Sequence, residues 1–216
     1  MVRRRMVVLG LTGSIGMGKS AAARHLRRLG VRVHDADAEV HRLLREDRAA
    51  IAAIGFAFPG VVRNGRVDRA ELGRRVFGDG AALGRLEALL HPRVRLVAAR
   101  FLRRAAAERL PLVALDIPLL FETGGERGCD TVVVVNAPGF VQTGRVLDRP
   151  GMTAARLAAI QARQMPDAVK QRLADFIVPT GLDRRTALQA LARIVTLARQ
   201  RPRRRRPQVR RYRERA

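Results

Sequence analysis

Met6-Val7-Val8-Leu9-Gly10-Leu11-Thr12-Gly13-Ser14-Ile15-Gly16-Met17-Gly18-Lys19-Ser20 is an apolar run that breaks into Gly13-x-x-x-x-Gly18-Lys19-Ser20. The pattern predicts a buried strand, a glycine-rich turn and a helix that starts near Lys19. Such a turn points free backbone N–H groups inward at the N-terminus of the next helix, where they cradle phosphate oxygens. Lys19 would set a point charge on the β and γ phosphates, and the Ser20 hydroxyl would sit on a bound magnesium ion. Among the 43 basic residues only Lys19 and Lys170 are lysines, so a lysine falling at this place by chance is improbable.

At 216 residues, 47% of them hydrophobic, the chain suffices for one good core, and no apolar run is long enough to span a membrane. A soluble α/β protein is expected. The lone cysteine, Cys129, excludes an internal disulfide framework, and no series resembling a signal peptide precedes the first strand. Both features point to the cytoplasm. Much of the net charge of +24 lies in a tail, residues 199–216, which carries +9 from ten arginines and one glutamate and contains Pro202 and Pro207. This basic tail cannot build a core and is expected to be disordered. It reads either as an arm touching RNA, DNA or anionic lipid or as a solvated extension, and blocks of like charge favour the second.

Working outward from the loop, residues 19–29 mix alanine and leucine with arginine and stop at Gly30, as a helix with a glycine just past its end does. Residues 31–34 then form a short strand running into Asp35-Ala36-Asp37, completing a strand, helix, strand unit of the right-handed parallel kind. A helix of about eleven residues descends about 16 Å and a strand of about five recovers it, which brings Asp35 and Asp37 back toward the phosphates. Residues 38–110 have helical spacing broken at Phe58-Pro59-Gly60, Asn64-Gly65 and Gly78-Asp79-Gly80, and read as a helical insertion. Residues 112–115 and 131–135 are buried parallel strands, the first ending at Asp116-Ile117-Pro118. Residues 140–172 return to helical periodicity with a break at Arg149-Pro150-Gly151, 176–178 form a last strand and 182–198 a closing helix. The expected architecture is a three-layer α/β/α core. Residues 1–60, 111–140 and 171–198 form that core, 61–110 a helical acceptor domain and 141–170 a lid.

A phosphate loop alone does not separate kinases from other nucleotide-binding proteins, so the other polar positions must decide. An Asn-Lys-x-Asp motif for reading guanine is absent after the valine-rich strand, as is the Leu-Ser-Gly-Gly signature of a transporter ATPase, and the chain is short for a helicase. A small-molecule kinase remains, which needs an acceptor-activating carboxylate, an acceptor pocket and arginines that neutralise charge as the phosphoryl group moves. Asp37 suits the first role, as acceptor of the hydroxyl proton or holder of a magnesium-bound water. Asp35 is its rival, and one of the two is expected to cap the helix starting at Ala38. Arg145 and Arg149, one helical turn apart, suit a lid closing over the triphosphate.

These residues together resemble the dephospho-coenzyme A kinases of the P-loop kinase superfamily. The resemblance rests on Leu11 to Ser20, Val33-His34-Asp35-Ala36-Asp37, Asn64-Gly65-Arg66-Val67-Asp68-Arg69 followed by Leu72 and Val76-Phe77, Leu89-Leu90-His91-Pro92, and Asp116-Ile117-Pro118-Leu119-Leu120-Phe121-Glu122. It implies a five-stranded parallel sheet and transfer of the γ-phosphoryl group of ATP to the ribose 3′-hydroxyl of dephospho-coenzyme A. In that likeness Asp37 is the base, with Asp35 beside it. Gly13, Ser14, Ile15, Gly16, Met17, Gly18, Lys19, Ser20 and Ala21 hold ATP with Mg2+, Ser20 on the metal and Asp37 a further candidate ligand. Arg69, His91, Pro118, Leu119, Leu120 and Glu122 shape or contact the acceptor pocket, while Arg145 and Arg149 come from the lid. The implied partner is a small molecule, with no membrane, and the chain is read as a monomer.

The chain departs from the family pattern at Ser14 and Met17, positions the phosphate-loop pattern leaves free, and at Thr143-Gly144, where a glycine should loosen the lid helix by about 1 kcal/mol relative to alanine. His91 before Pro92 reads either as a pocket residue or as a helix end. Glu122 reads either as an acceptor contact or as a cap on the neighbouring glycine-rich loop, and Asp116 at most supports the site from behind. Rival functions are another small-molecule or nucleoside monophosphate kinase and a nucleotide-regulated RNA-binding protein resting on the basic tail.

Overall fold

The strand that delivers the glycine-rich loop, β1 (Val7–Thr12), lies at the centre of a five-stranded sheet, and all its residues but Val7 are buried, so both its faces need covering. Residues 6–200 are described by this computed structural model. In chain order the elements that follow β1 are α1 (Lys19–Arg28), β2 (Arg32–Asp35), α2 (Ala36–Glu46), α3 (Arg48–Ala57), β3 (Val62–Arg63) and β4 (Arg66–Val67). Next come α4 (Arg69–Val76), α5 (Gly80–Ala107), β5 (Leu112–Asp116), β6 (Thr131–Asn136), α6 (Gly139–Leu147), α7 (Ala154–Ala162), α8 (Asp167–Leu173), β7 (Phe176–Pro179) and α9 (Arg184–Gln200).

The sheet order is β2-β5-β1-β6-β7. β1 pairs in parallel with β5, Leu11 opposite Asp116, and with β6, Thr12 opposite Val134, while β6 pairs in parallel with β7. The strand, helix, strand unit read from the sequence is therefore present but skips a place, because β5 lies between β1 and β2. Burial explains the exchange: every residue of β5 is buried, which demands an inner position, whereas β2 and β7 carry exposed residues and take the edges. Against the sheet, Leu26 of α1 and Leu191, Ile194 and Val195 of α9 share one apolar cluster with Leu9, Leu11, Val133 and Val178.

The chain divides into two units after His34 and again before Ala105. The sequence reading set the start of the helical domain at residue 61, and its first two helices move across that line. Leu44, Ile51, Ile54 and Phe58, on α2 and α3 and just beyond, share an apolar cluster with Val67, Leu72, Leu86 and Leu90. The break at Phe58-Pro59-Gly60 is thus a turn inside the helical unit. Asn64-Gly65 is a two-residue hairpin loop joining β3 and β4, with φ of 48° and 71°, the positive pair that a type I′ turn demands.

The sequence allowed a helix end at His91. α5 does not end there but runs on through Pro92 as one helix. Proline frees the carbonyl four residues earlier, that of Ala88, and both Ala88 and Pro92 lie on the exposed side, where water can take it. At the C-terminus α9 includes Arg199 and Gln200, and the rest of the segment expected to be disordered lies outside the described residues.

Candidate functional site

Between β1 and α1 the chain curves as the sequence predicts. Gly16 and Gly18 adopt φ of 77° and 82°, and a Cβ on Gly16 would stand 2.9 Å from the backbone oxygen of Gln142. An L side chain is therefore excluded twice over at Gly16, by backbone handedness and by the close approach of α6. Gly18 serves as the N-cap of α1 and offers its first N–H groups no side-chain cap, while the Ala21 N–H turns back to the Gly18 carbonyl at 3.0 Å. Lys19 Nζ lies 2.8 Å from Asp116 Oδ1 at the C-terminal end of β5, and Asp116 is buried. Ser20 is exposed in the first turn.

The loop is held from its outer side by polar side chains of the segment from α6 to α8. Gln142 Nε2 donates to the carbonyl of Ile15 at 2.8 Å, and the Ile15 N–H donates to Gln164 Oε1 at 3.1 Å. Gln161 Nε2 donates to Gln142 Oε1 at 3.1 Å, bracing the first glutamine. Ser14 Oγ donates to Asp167 Oδ1 at 2.5 Å and accepts from Lys170 Nζ at 3.2 Å. Lys170 also pairs with Glu122 Oε1 at 2.9 Å, and the Met165 N–H donates to that same oxygen at 2.9 Å. Thr180 Oγ1, just past β7, donates to the Met17 carbonyl at 2.7 Å. Arg145 on α6 reaches the Thr180 carbonyl at 2.7 Å, Thr180 Oγ1 at 3.3 Å and the Gly16 carbonyl at 3.5 Å.

Several sequence expectations sort themselves here. Arg145 lies on the loop, but Arg149 does not share its helix: α6 ends at Leu147, and Arg149 lies in the exposed turn before Pro150. The spacing argument failed because Asp148 closes the helix one residue before Arg149. Leu120 is fully buried, Leu119 and Pro118 are half-buried, and the Pro118 carbonyl accepts from Thr12 Oγ1 at 2.9 Å. Glu122 caps no glycine-rich loop; its Oε1 is taken by Lys170 and Met165. Gln142, Gln161, Gln164, Asp167 and Thr180 were not legible as site residues, since neutral or common polar types in helical stretches carry no spacing signature. Lys170 did carry a signal, being the second lysine in a chain that otherwise uses arginine.

Beside the loop opens a cavity of about 410 Å³ whose walls include Gly18, Ala21, His25, Arg145, Thr180 and Arg184. Its rim is basic, which favours an anionic ligand. His25 is buried, and burial first, then the neighbouring Arg28, Arg24 and Arg184, holds its imidazole below the usual histidine range, so the neutral form is favoured.

The helical unit carries the remaining candidates. Asp35 is the N-cap of α2, its Oδ1 accepting from the Ala38 N–H at 3.0 Å, which answers which of the two aspartates caps. Asp37 stands exposed in the first turn of that helix. Arg69 is the exposed first residue of α4, whose N-cap Asp68 is held below the usual carboxylate range by the Glu71 N–H. His91 is half-buried on α5.

Comparison with known proteins agrees with this geometry. A profile of the dephospho-CoA kinase family matches residues 7–182. Over 208 residues the chain is 58% identical to a dephospho-CoA kinase of Rhodospirillum rubrum, covering 96% of this chain and 99% of that one. A dephospho-CoA kinase of Paramagnetospirillum magneticum is 63% identical over 166 residues, 77% of this chain and 78% of that protein. Among solved structures, a Thermus thermophilus protein is similar with a TM-score of 0.77 at 36% identity, covering 89% of this chain and 97% of its own.

Proposed function

The chain belongs to the dephospho-CoA kinase family, and on that premise we propose how its residues divide the transfer of the γ-phosphoryl group of ATP to the ribose 3′-hydroxyl of dephospho-coenzyme A. The observation that carries the reading is the glycine-rich loop with Lys19 at its end, opening beside a basic cavity at Gly18, Ala21 and Arg145. Phosphoryl transfer needs little covalent help from a protein, so catalysis here is positioning and charge neutralisation.

In this reading backbone N–H groups of the loop between Gly13 and Ser20, other than those of Ile15 and Met17 that the protein itself holds, take the phosphate oxygens, and the cavity takes the nucleoside. Lys19, now on Asp116, turns its ammonium to the β and γ phosphates. Arg145 neutralises charge that builds on the leaving ADP. Asp37 accepts the proton of the 3′-hydroxyl while that oxygen bonds to the γ-phosphorus, and the bond from the γ-phosphorus to the β–γ bridging oxygen breaks. Asp35 is occupied as a helix cap, which supports Asp37 as the base. Arg69, His91, Pro118 and Leu119 belong to the acceptor side in this proposal, while the Glu122 carboxylate is taken by Lys170 and the Met165 N–H.

Mg2+ fits the donor set. Among the described residues no group of three or more His, Cys, Asp or Glu forms a metal cage, and the oxygen donors at the loop include the exposed Ser20 hydroxyl and the Asp116 carboxylate. A small hard cation that keeps its water and phosphate ligands needs no more from the protein than Ser20, with Asp37 or Asp116 through water. Bound there with the nucleotide, it would supply charge neutralisation between the β and γ phosphates. No helix among the described residues is long and apolar enough to cross a membrane. We read the protein as a cytoplasmic monomer.

Calorimetric titration with ATP and Mg2+ tests the nucleotide half of the proposal. Wild-type protein should bind, and Lys19→Met should weaken binding and cut kcat by about a hundredfold or more, the size expected for one lost transition-state charge contact. Equal kcat in Lys19→Met would overturn the assignment of Lys19.

A further inference from the structure

Lys170 is the largest side chain that the fold buries completely, at 0% exposure, and it lies on the phosphate loop. We infer that Lys170 is a positioning residue for that loop, acting through the hydroxyl of Ser14. The inference rests on the nucleotide-binding reading given above.

The ammonium donates to Glu122 Oε1 at 2.9 Å and to Ser14 Oγ at 3.2 Å, and Ser14 Oγ gives its one hydrogen to Asp167 Oδ1 at 2.5 Å. Ser14 is thus gripped from two sides, by residues one turn apart at the start of α8. Its hydroxyl hydrogen is committed within the protein, so Ser14 serves the phosphates through its backbone only. The next residue, Ile15, has its own N–H held by Gln164. The first half of the loop is therefore set by groups on α8 and just before it, and its curvature depends on their staying in place.

Stability alone is weak ground for such an arrangement, because a buried ion pair does no better than well-packed apolar side chains of like volume. Geometry is the stronger ground. A compact ammonium with three rotatable donors fits behind a tight loop where a planar guanidinium does not. This chain uses arginine for every other basic residue except Lys19. Glu122 completes the arrangement: its Oε2 is buried without a hydrogen-bond partner, so its charge is balanced chiefly by Lys170.

The test is a double-mutant cycle read by ATP calorimetry and steady-state kinetics. Ser14→Ala removes the link and leaves the Lys170–Glu122 pair intact. Lys170→Met combined with Glu122→Gln removes the pair without stranding a buried charge. Each should raise the Kd and KM for ATP about five- to tenfold, with a smaller change in kcat, the loss expected for a hydrogen bond to a charged group felt indirectly. The triple variant should be no worse than Ser14→Ala alone, because Ser14→Ala already breaks the Lys170 link along with the one to Asp167. Effects that multiply in the triple variant, or ATP binding by Ser14→Ala within twofold of wild type, would overturn the inference, as would variants that lose only melting temperature. Wild-type protein that fails to bind ATP would bring down the nucleotide reading as well.

Discussion

Thr180→Val is nearly isosteric and removes one hydroxyl from the back of the phosphate loop. That hydroxyl has one hydrogen and two acceptors within reach, the Met17 carbonyl at 2.7 Å and the Asn136 carbonyl at 3.2 Å, so the hydrogen goes to Met17. The Asn136 carbonyl keeps the Thr180 N–H at 2.7 Å in the variant, and Arg145 keeps the Thr180 carbonyl at 2.7 Å, since neither depends on the side chain. Two things are lost: the bond to Met17, which is 2% exposed, and the longer one from Arg145 Nη1 at 3.3 Å. A buried carbonyl left without its donor costs about 1–3 kcal/mol, and the Arg145 contact adds little because its better bond survives. The expected destabilisation is about 1.5–2 kcal/mol, a fall in Tm of roughly 3–8 °C for a chain of this size. Because Met17 and Gly18 lead into α1, the ATP Kd should rise by about threefold to tenfold along with it. Thermal unfolding by circular dichroism with and without ATP reads both. A variant as stable as the wild type, with unchanged ATP affinity, would refute the claim that Thr180 holds the loop.

Two further predictions come from the same structure. A Cβ added at Gly144, in the middle of α6, meets nothing within 4 Å, so Gly144→Ala should stabilise the protein by about 0.5–1 kcal/mol and raise Tm by about 1–4 °C; a lower Tm in a melting scan would contradict it. His25 is held below the usual histidine range in the folded state, so the unfolded chain takes up a proton first as pH falls. Its contribution to stability is full above about pH 6.5 and is lost as pH drops toward the folded value. His25→Gln should therefore flatten the decline in Tm between about pH 7.5 and 5.5, and an identical slope in both proteins would remove His25 as its source.

The glycine-rich loop, the buried strands and the closing helix were legible because each is a local pattern: apolar runs of fixed length, glycines at set offsets, a lysine in an arginine-rich chain. Where long-range packing chooses, the sequence was silent. Nothing in residues 112–116 says that this strand slips between β1 and β2; the choice follows from which runs must be buried on both faces. The helical unit begins at Asp35 and not at 61 because Leu44, Ile51 and Ile54 find their apolar partners on α4 and α5, far along the chain. Pro92 misled because a proline whose freed carbonyl faces water does not end a helix. The glutamines and Thr180 that hold the loop escaped notice for the same physical reason: a hydrogen bond between distant neutral side chains leaves no trace in local spacing. Asp35 and Asp37 were not separable either: with the helix expected to start at Ala38 the residue before it is Asp37, whereas the helix begins at Ala36 and Asp35 is the cap.

The most direct test of the account is ADP release by the purified protein with ATP and Mg2+, given dephospho-coenzyme A, adenosine monophosphate, shikimate or no acceptor, in wild type and Asp37→Asn. The account predicts release stimulated by dephospho-coenzyme A alone and a fall of about a hundredfold or more in the variant, with ATP binding retained, as the loss of a general base requires. Wild-type protein that binds ATP yet shows no stimulation by dephospho-coenzyme A would contradict it.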